Sequence, residues 1–201
     1  KKPKLIIMVD CGSTSIDAID YLNNHNIKSI VIDHHEINKP YPKSDVIINP
    51  KKDSIKKESS LLCASALTYF FIEILISKTK SNFKLSNFLI YVLLATICDV
   101  MPLRKINKII ARNTIDNFKI QNNLALNYIF DQYSIKRKLS VDDLGFLIGP
   151  IINSGGRLNS SNYGVELLST DNLEIIKDRS NKLISLNNKR KIIEQNILDK
   201  I

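Results

Sequence analysis

The feature that most constrains the fold is a set of short apolar segments, two of which end in an aspartate. Residues 5–9 precede Asp10, and residues 29–32 precede the sequence "DHHE" at 33–36. A third segment, "DVIIN", occupies residues 45–49. Short, continuously apolar strands joined by a helix are typical of a βαβ unit in a parallel sheet. The sequence therefore predicts an α/β fold, with the first strand fully buried.

The rest of the chain is predicted to be mostly helical. Ser13 or Thr14 is a candidate cap for the first helix, which ends near Asn24. The periodicity and the low Gly and Pro content predict further helices at about 59–79, 85–100, 105–118, 122–133, 141–148, 161–168 and 172–201. We expect an α/β domain over residues 1–170 and a long helix over residues 171–201 that leads to a second domain.

Composition and charge limit the classes of function. Hydrophobic residues make up 44% of the 201-residue chain, which is enough for a core. The longest apolar run, residues 61–76, is shorter than a membrane span and contains Glu73, so it predicts a buried helix. A formal net charge of +9 favours a polyanionic partner such as nucleic acid, although a bias towards Lys, Ile and Asn is an alternative explanation.

The three cysteines, Cys11, Cys63 and Cys98, lie far apart in apolar surroundings. This pattern argues against a disulfide framework or a zinc finger, and it predicts core positions in a reducing, cytoplasmic setting. The chain begins with lysines that run directly into a strand, which predicts no cleavable secretory signal.

Candidate metal ligands follow the first two strands. Asp33, His34 and His35 combine carboxylate and imidazole donors, which suit Mn²⁺-like ions. Because neighbouring residues on a strand point to opposite sides, all three reach one ion only where the strand breaks into a loop. Asp10 ends the preceding strand and is expected in the same layer. The alternatives are a solvated loop with incidental histidines and an Asp10 that merely caps a turn.

A further candidate ligand is Asp99, in "LLATICDVMPL" at residues 93–103. It follows an almost wholly apolar helix, at the end where the helix dipole disfavours negative charge. A carboxylate in such a place is costly unless it is paired or binds a cation. The alternative partner is a salt bridge to Arg104 or Lys105.

Residues 149–159, "GPIINSGGRLN", form a candidate phosphate-binding loop. Gly155 and Gly156 permit unusual backbone angles that aim amides at a phosphate, and Arg157 can clamp it bidentately. The alternative is an ordinary interhelical loop with an exposed arginine.

Taken in order, these stretches resemble the motifs of the DHH phosphoesterase superfamily, and within it the single-strand-specific exonucleases. The matching stretches are "MVDCGS", "VIDHHE", "VIINPKK", "LLATICDVMPL" (similar to GTVADVVPL) and "GPIINSGGRLN" (similar to GPRINAAGRL). The resemblance implies 5′-to-3′ hydrolysis of single-stranded DNA to mononucleotides in repair and recombination, with Mn²⁺ or Mg²⁺ in a two-metal site. It also implies a repair helicase or a single-strand-binding protein as partner.

Residue by residue, the resemblance implies that Asp10, His34 and Asp99 ligate metal. It gives Asp33 and His35 supporting catalytic roles, with His35 near the scissile phosphate. Substrate phosphate would meet Arg157, with Gly155 and Gly156 beside it.

The sequence departs from the family pattern at three points. The first motif, Asp-x-Asp-x-Asp-Gly, and the smaller second domain are absent, and Ile151 replaces a common arginine. We therefore expect a central segment with little activity alone, complemented by an N-terminal fragment. The competing interpretations are a phosphatase or oligonucleotidase acting on small phosphoesters and a non-catalytic nucleic-acid-binding protein.

Overall fold

Three parallel strands form a sheet in the order β1-β2-β3 in the computed structural model, which describes residues 2–52, 59–157 and 162–200. The strands are β1 (Leu5–Val9), β2 (Lys28–Ile32) and β3 (Val46–Ile48). Helix α1 (Ile16–Asn24) connects β1 to β2, so the predicted α/β class and the βαβ unit are confirmed. Because all three strands run in the same direction, the residues that follow them lie at one edge of the sheet.

The remaining helices, apart from α7 (Gly149–Arg157), lie close to their predicted positions. They are α2 (Ala64–Thr79), α3 (Leu89–Cys98), α4 (Lys105–Asn117), α5 (Leu124–Gln132), α6 (Val141–Asp143), α7 (Gly149–Arg157), α8 (Asn162–Leu168) and α9 (Leu173–Leu198). None of the helices within the described ranges is both long and apolar enough to cross a membrane.

The first strand is not fully buried, contrary to the prediction. Leu5, Ile7 and Val9 are 46%, 47% and 43% exposed. Within the described residues β1 pairs with β2 on one side, and its alternate side chains point to an uncovered face. An apolar run predicts a strand, but it does not predict which helices or strands pack against the two faces of that strand.

Burial of β2 fixes the centre of the first compact unit, which spans residues 1–114. Ile32 joins a core cluster with α2 and α3, where it is buried together with Cys63 and Val92. Val31 points to the opposite face and is equally buried. Cys11 was expected in the core but is exposed, because it lies beyond the end of β1.

Residues 115–201 form the second compact unit, in which α9 packs against α5, α7 and α8. Ile176, Ser180, Leu183 and Asn187 are the buried residues of α9. The division of the chain into residues 1–170 and 171–201 stays a prediction, since it concerns family domains rather than compactness.

Residues 149–157 are helical, so the predicted loop at this position is wrong. The π-helical turn Leu144–Ile148 runs directly into α7, so Pro150 removes a backbone donor inside a continuous helical run rather than at a helix start. Ser154 is buried, and its hydroxyl donates to the carbonyl of Leu183 at 3.0 Å. The small side chain lets α7 approach α9 closely, and this tertiary packing outweighs the local preference of glycine for a turn.

Candidate metal centre

Asp10 leaves the end of β1 in a left-handed backbone conformation, with φ +62°. Its backbone amide still donates to the carbonyl of Ile32, at 2.9 Å, so the strand pairing extends to this residue. A non-glycine residue in this conformation is uncommon and is frequently associated with function. The first candidate ligand is therefore held on the sheet in an unusual conformation.

His34 stands between two carboxylates. Its Nε2 lies 3.3 Å from Oδ1 of Asp10 and 3.8 Å from Oδ2 of Asp99. The three predicted ligands thus converge, although Asp99 comes from α3 and the other two from the sheet edge. His35 is also close, with its Nδ1 4.0 Å from Oδ1 of Asp10.

The donor set fits a divalent cation. Burial raises the pKa of Asp99, and the negative charge of Asp10 raises it further. A cation stabilises two carboxylates that lie beside one imidazole, and mixed oxygen and nitrogen ligands suit Mn²⁺. Among the described residues, the donor atoms that all lie within 4.8 Å of one another belong to Asp10, His34 and His35. Ligation by Asp10, His34 and Asp99 therefore stays a prediction.

Asp33 supports the loop that carries His34 and His35. Its side chain is only 2% exposed. One oxygen accepts from the backbone amides of His34 and His35 and from Nδ1 of His35, and the other accepts from the amide of Ser13. Burial alone raises the pKa of Asp33, but the hydrogen bonds from Ser13 and His35 outweigh it and hold the pKa well below its usual range.

His35 is oriented by this carboxylate. Its Nδ1 lies 2.7 Å from Oδ1 of Asp33, so in this geometry Nδ1 carries the proton and Nε2 faces outward. The hydrogen bond to Asp33 raises the pKa of His35, and its side chain is 60% exposed. A solvent-facing imidazole with a raised pKa suits contact with an anionic substrate. The catalytic roles of Asp33 and His35 stay predictions.

Asn49 belongs to the same network and was assigned no role from the sequence. It follows β3 as Asp10 and Asp33 follow β1 and β2, and it is 4% exposed. Its Nδ2 donates to Oγ of Ser13 at 2.7 Å and to the carbonyl of His35 at 2.9 Å. The signal that could have found it is its position directly after the third strand.

Asp99 ends α3 at a turn that normally requires glycine. Val100 has φ +54°, its amide donates to the carbonyl of Ile97, and the amide of Met101 donates to that of Thr96. This is a Schellman motif with valine at the left-handed position. A β-branched residue is a genuine outlier there, so the turn that positions Asp99 is strained.

Replacing Val100 with glycine is expected to raise the free energy of unfolding by about 1 kcal/mol, because glycine adopts this conformation without a steric cost. The valine side chain is 86% exposed, so little packing is lost. Urea denaturation measures the change, and Val165→Gly, at another exposed valine but within α8, is the control and should destabilise. A destabilised Val100→Gly protein would show that the turn is not strained.

The predicted phosphate-binding residues lie in the second compact unit. Gly155 and Gly156 are part of α7, so they do not adopt the unusual backbone angles expected of a loop. Arg157 ends the helix, and its side chain lies outside the described part of the chain, as do residues 158–161. Ile151, where the resemblance favours arginine, is fully buried. Phosphate binding by Gly155, Gly156 and Arg157 therefore stays a prediction.

Comparison with known proteins relates this chain to one family. The profile of the DHH family, N-terminal domain, matches residues 2–97. The single-stranded-DNA-specific exonuclease RecJ of Haemophilus influenzae is 29% identical over 96% of this chain, and that of Salmonella typhimurium is 30% identical over 96%. Residues 2–97 therefore belong to the DHH family, and the chain as a whole is similar to the RecJ exonucleases.

Solved structures agree with the RecJ-like fold. The crystal structure of Thermus thermophilus RecJ in complex with Mn²⁺ superposes with a TM-score of 0.85 at 22% identity, over 98% of this chain and 30% of that one. An exonuclease RecJ bound to manganese gives 0.86 at 23% identity, over 98% and 50%. The RecJ-like chain spans only 36% and 35% of the Haemophilus and Salmonella relatives.

Proposed function

We propose that this RecJ-like chain carries the metal centre of a single-strand-specific exonuclease, which hydrolyses DNA phosphodiesters from the 5′ end to mononucleotides in repair and recombination. The proposal depends on the convergence of the Asp10 and Asp99 carboxylates, which both lie within 4 Å of Nε2 of His34. The names of the relatives, which are single-stranded-DNA-specific exonucleases, give the substrate class.

Mn²⁺ or Mg²⁺ at these residues would supply Lewis acidity and a nucleophilic water at neutral pH. His35 presents Nε2 to the solvent side, while Asp33 holds its Nδ1 proton. A protonated His35 would bind a phosphate oxygen and place the phosphodiester beside the centre. Asn49 and Ser13 would maintain this geometry, since they hold the carbonyl of His35 and the carboxylate of Asp33.

A partner that completes the sheet is part of the proposal. The outer edge of β1 and the exposed side chains of Leu5, Ile7 and Val9 form the surface that a complementing N-terminal fragment would cover. A repair helicase or a single-strand-binding protein is a further partner that the family resemblance suggests. A cytoplasmic location suits these partners and stays part of the proposal.

With excess protein and Mn²⁺, a 5′-labelled single strand is expected to release labelled mononucleotides slowly, and EDTA or His34→Ala is expected to stop the release. A duplex of the same sequence and p-nitrophenyl phosphate serve as comparison substrates. Preferred cleavage of p-nitrophenyl phosphate would support a small-substrate phosphatase instead. Binding of the strand with no Mn²⁺-dependent release, even with the N-terminal segment of Haemophilus influenzae RecJ added, would contradict the exonuclease proposal.

A further inference from the structure

A second concave site lies wholly within the unit formed by residues 115–201. It is a hollow of about 420 Å³, between the segment that precedes α5 and the segment that follows it. Its volume falls within the range of small-ligand sites, about 300–1,000 Å³. We call it the basic hollow, and its principal lining residues are Phe118, Lys119, Ile135, Lys136, Arg137 and Lys138.

Arg137 anchors the segment that carries two of these lysines. Its guanidinium donates to both oxygens of Asp143, at 2.6 and 2.7 Å. Asp143 is buried and also completes a capping box with Ser140 at the start of α6. The Arg137 guanidinium and the Ser140 hydrogen bonds lower the pKa of Asp143 to about 2. The positive charge of Arg137 is therefore already matched, and the backbone around it is fixed.

The three lysines of the basic hollow differ from Arg137 in this respect. Among the described residues, no carboxylate oxygen pairs with the ammonium group of Lys119, Lys136 or Lys138. The acidic residue at the hollow is Asp131, which accepts a hydrogen bond from Nδ2 of Asn127 at 3.2 Å. The lining therefore carries three lysines and one aspartate, and this excess of positive charge favours an anion.

We propose that the basic hollow binds a phosphate group of a nucleotide unit, either in a single strand or in a free mononucleotide. Lysine ammonium groups bind phosphate as point charges without a fixed geometry, so the contact does not depend on base identity. Phe118 and Ile135 give the hollow an apolar wall against which a sugar or base can pack. The choice of ligand rests on the proposed function, but binding here requires neither the metal centre nor hydrolysis.

The test is fluorescence anisotropy of the whole chain with a labelled oligothymidylate in EDTA, which separates this binding from any metal-dependent activity. The test variant is Lys119→Gln/Lys136→Gln/Lys138→Gln. The control is Lys177→Gln/Lys189→Gln/Lys191→Gln, which removes three exposed lysines of α9 and lowers the net charge equally, from +9 to +6. Circular dichroism confirms that both variants fold.

The hollow variant is expected to bind the strand about tenfold to a hundredfold more weakly at 0.1 M salt. Its log–log salt slope should fall by about 2, because each single-strand phosphate contact contributes about 0.7. The control should retain most of its affinity. Competition by thymidine monophosphate would identify a mononucleotide site, and competition by oligomers alone would identify a strand path. Equal losses in the two variants, or no loss in the hollow variant, would overturn the proposal without bearing on the metal centre.

Discussion

Replacing His34 with alanine is expected to weaken Mn²⁺ binding by at least about a hundredfold while the metal-free protein stays folded. Loss of a residue that only supports a ligand typically costs about 10–100-fold in metal affinity, so loss of the central ligand should cost no less. His34 is the imidazole that lies within 4 Å of both Asp10 and Asp99, and its removal leaves two carboxylates. Isothermal titration calorimetry on the metal-free protein measures the change.

The chain provides a matched control in its third histidine. His25 lies beyond the end of α1, is exposed, and has its Nδ1 2.8 Å from the carbonyl of Tyr21. His25→Ala should bind Mn²⁺ like the wild type, and Mn²⁺ should raise the melting temperature of both proteins but not that of His34→Ala. Wild-type affinity in His34→Ala would place the metal site elsewhere.

Metal affinity should also decrease in acid, because imidazole ligates only in its neutral form. The decrease should be seen in the wild type and in His25→Ala alike.

Much of the candidate centre was predictable because strand direction alone determines where the ends of the strands meet. Two apolar runs that end in Asp10 and Asp33 predict carboxylates at one edge of a parallel sheet, and the structure has that edge. Asp99 was singled out for a different reason, since a carboxylate buried at the end of an apolar helix is costly. In the structure this helix end is not buried, and the Asp99 side chain is 35% exposed. Its distance of 3.8 Å from His34 depends on packing and was not predictable.

The parts that sequence reasoning missed are those in which distant residues decide a local structure. Asn49 has the pattern of a turn residue, and its importance appears only in hydrogen bonds to Ser13 and His35, which are 36 and 14 positions away. Gly155 and Gly156 are typical of a loop, yet packing of α7 on α9 keeps them helical. At Val100 the local preference is also overridden, because valine disfavours the left-handed backbone conformation that it adopts after α3.

Asp33→Asn is expected to lower the free energy of unfolding by about 3 kcal/mol. Both oxygens of the buried carboxylate accept hydrogen bonds, so the amide group of asparagine must face a donor in either orientation. A buried donor left unsatisfied costs about 1–3 kcal/mol, and hydrogen bonds to a charged group contribute more than neutral ones. Mn²⁺ affinity should fall as well, since the amides of His34 and His35 lose their acceptor.

Asp45→Asn is the matched control for this substitution. Asp45 precedes β3 and, within the described part of the chain, accepts one hydrogen bond, from the amide of Ser29 at 2.8 Å. The amide side chain of asparagine can still accept that bond, so its stability should change by less than about 0.5 kcal/mol. Urea denaturation in EDTA compares both variants with the wild type.

The pH dependence of the stability lost in Asp33→Asn shows whether Asp33 stabilises the fold through its negative charge or only by filling space. The pKa of Asp33 is lower in the folded protein, so its stabilisation is complete above about pH 4, the usual value for a free aspartate, and is lost as the pH falls. The pKa of His35 is raised by Asp33, so the share of the stabilisation that comes from this pair is complete below about pH 6.5 and is lost as the pH rises through the raised value. The difference in stability between wild type and Asp33→Asn should therefore be largest between about pH 4 and 6.5. A difference that is constant with pH would mean that Asp33 only fills space, and the orientation of His35 would then need another cause.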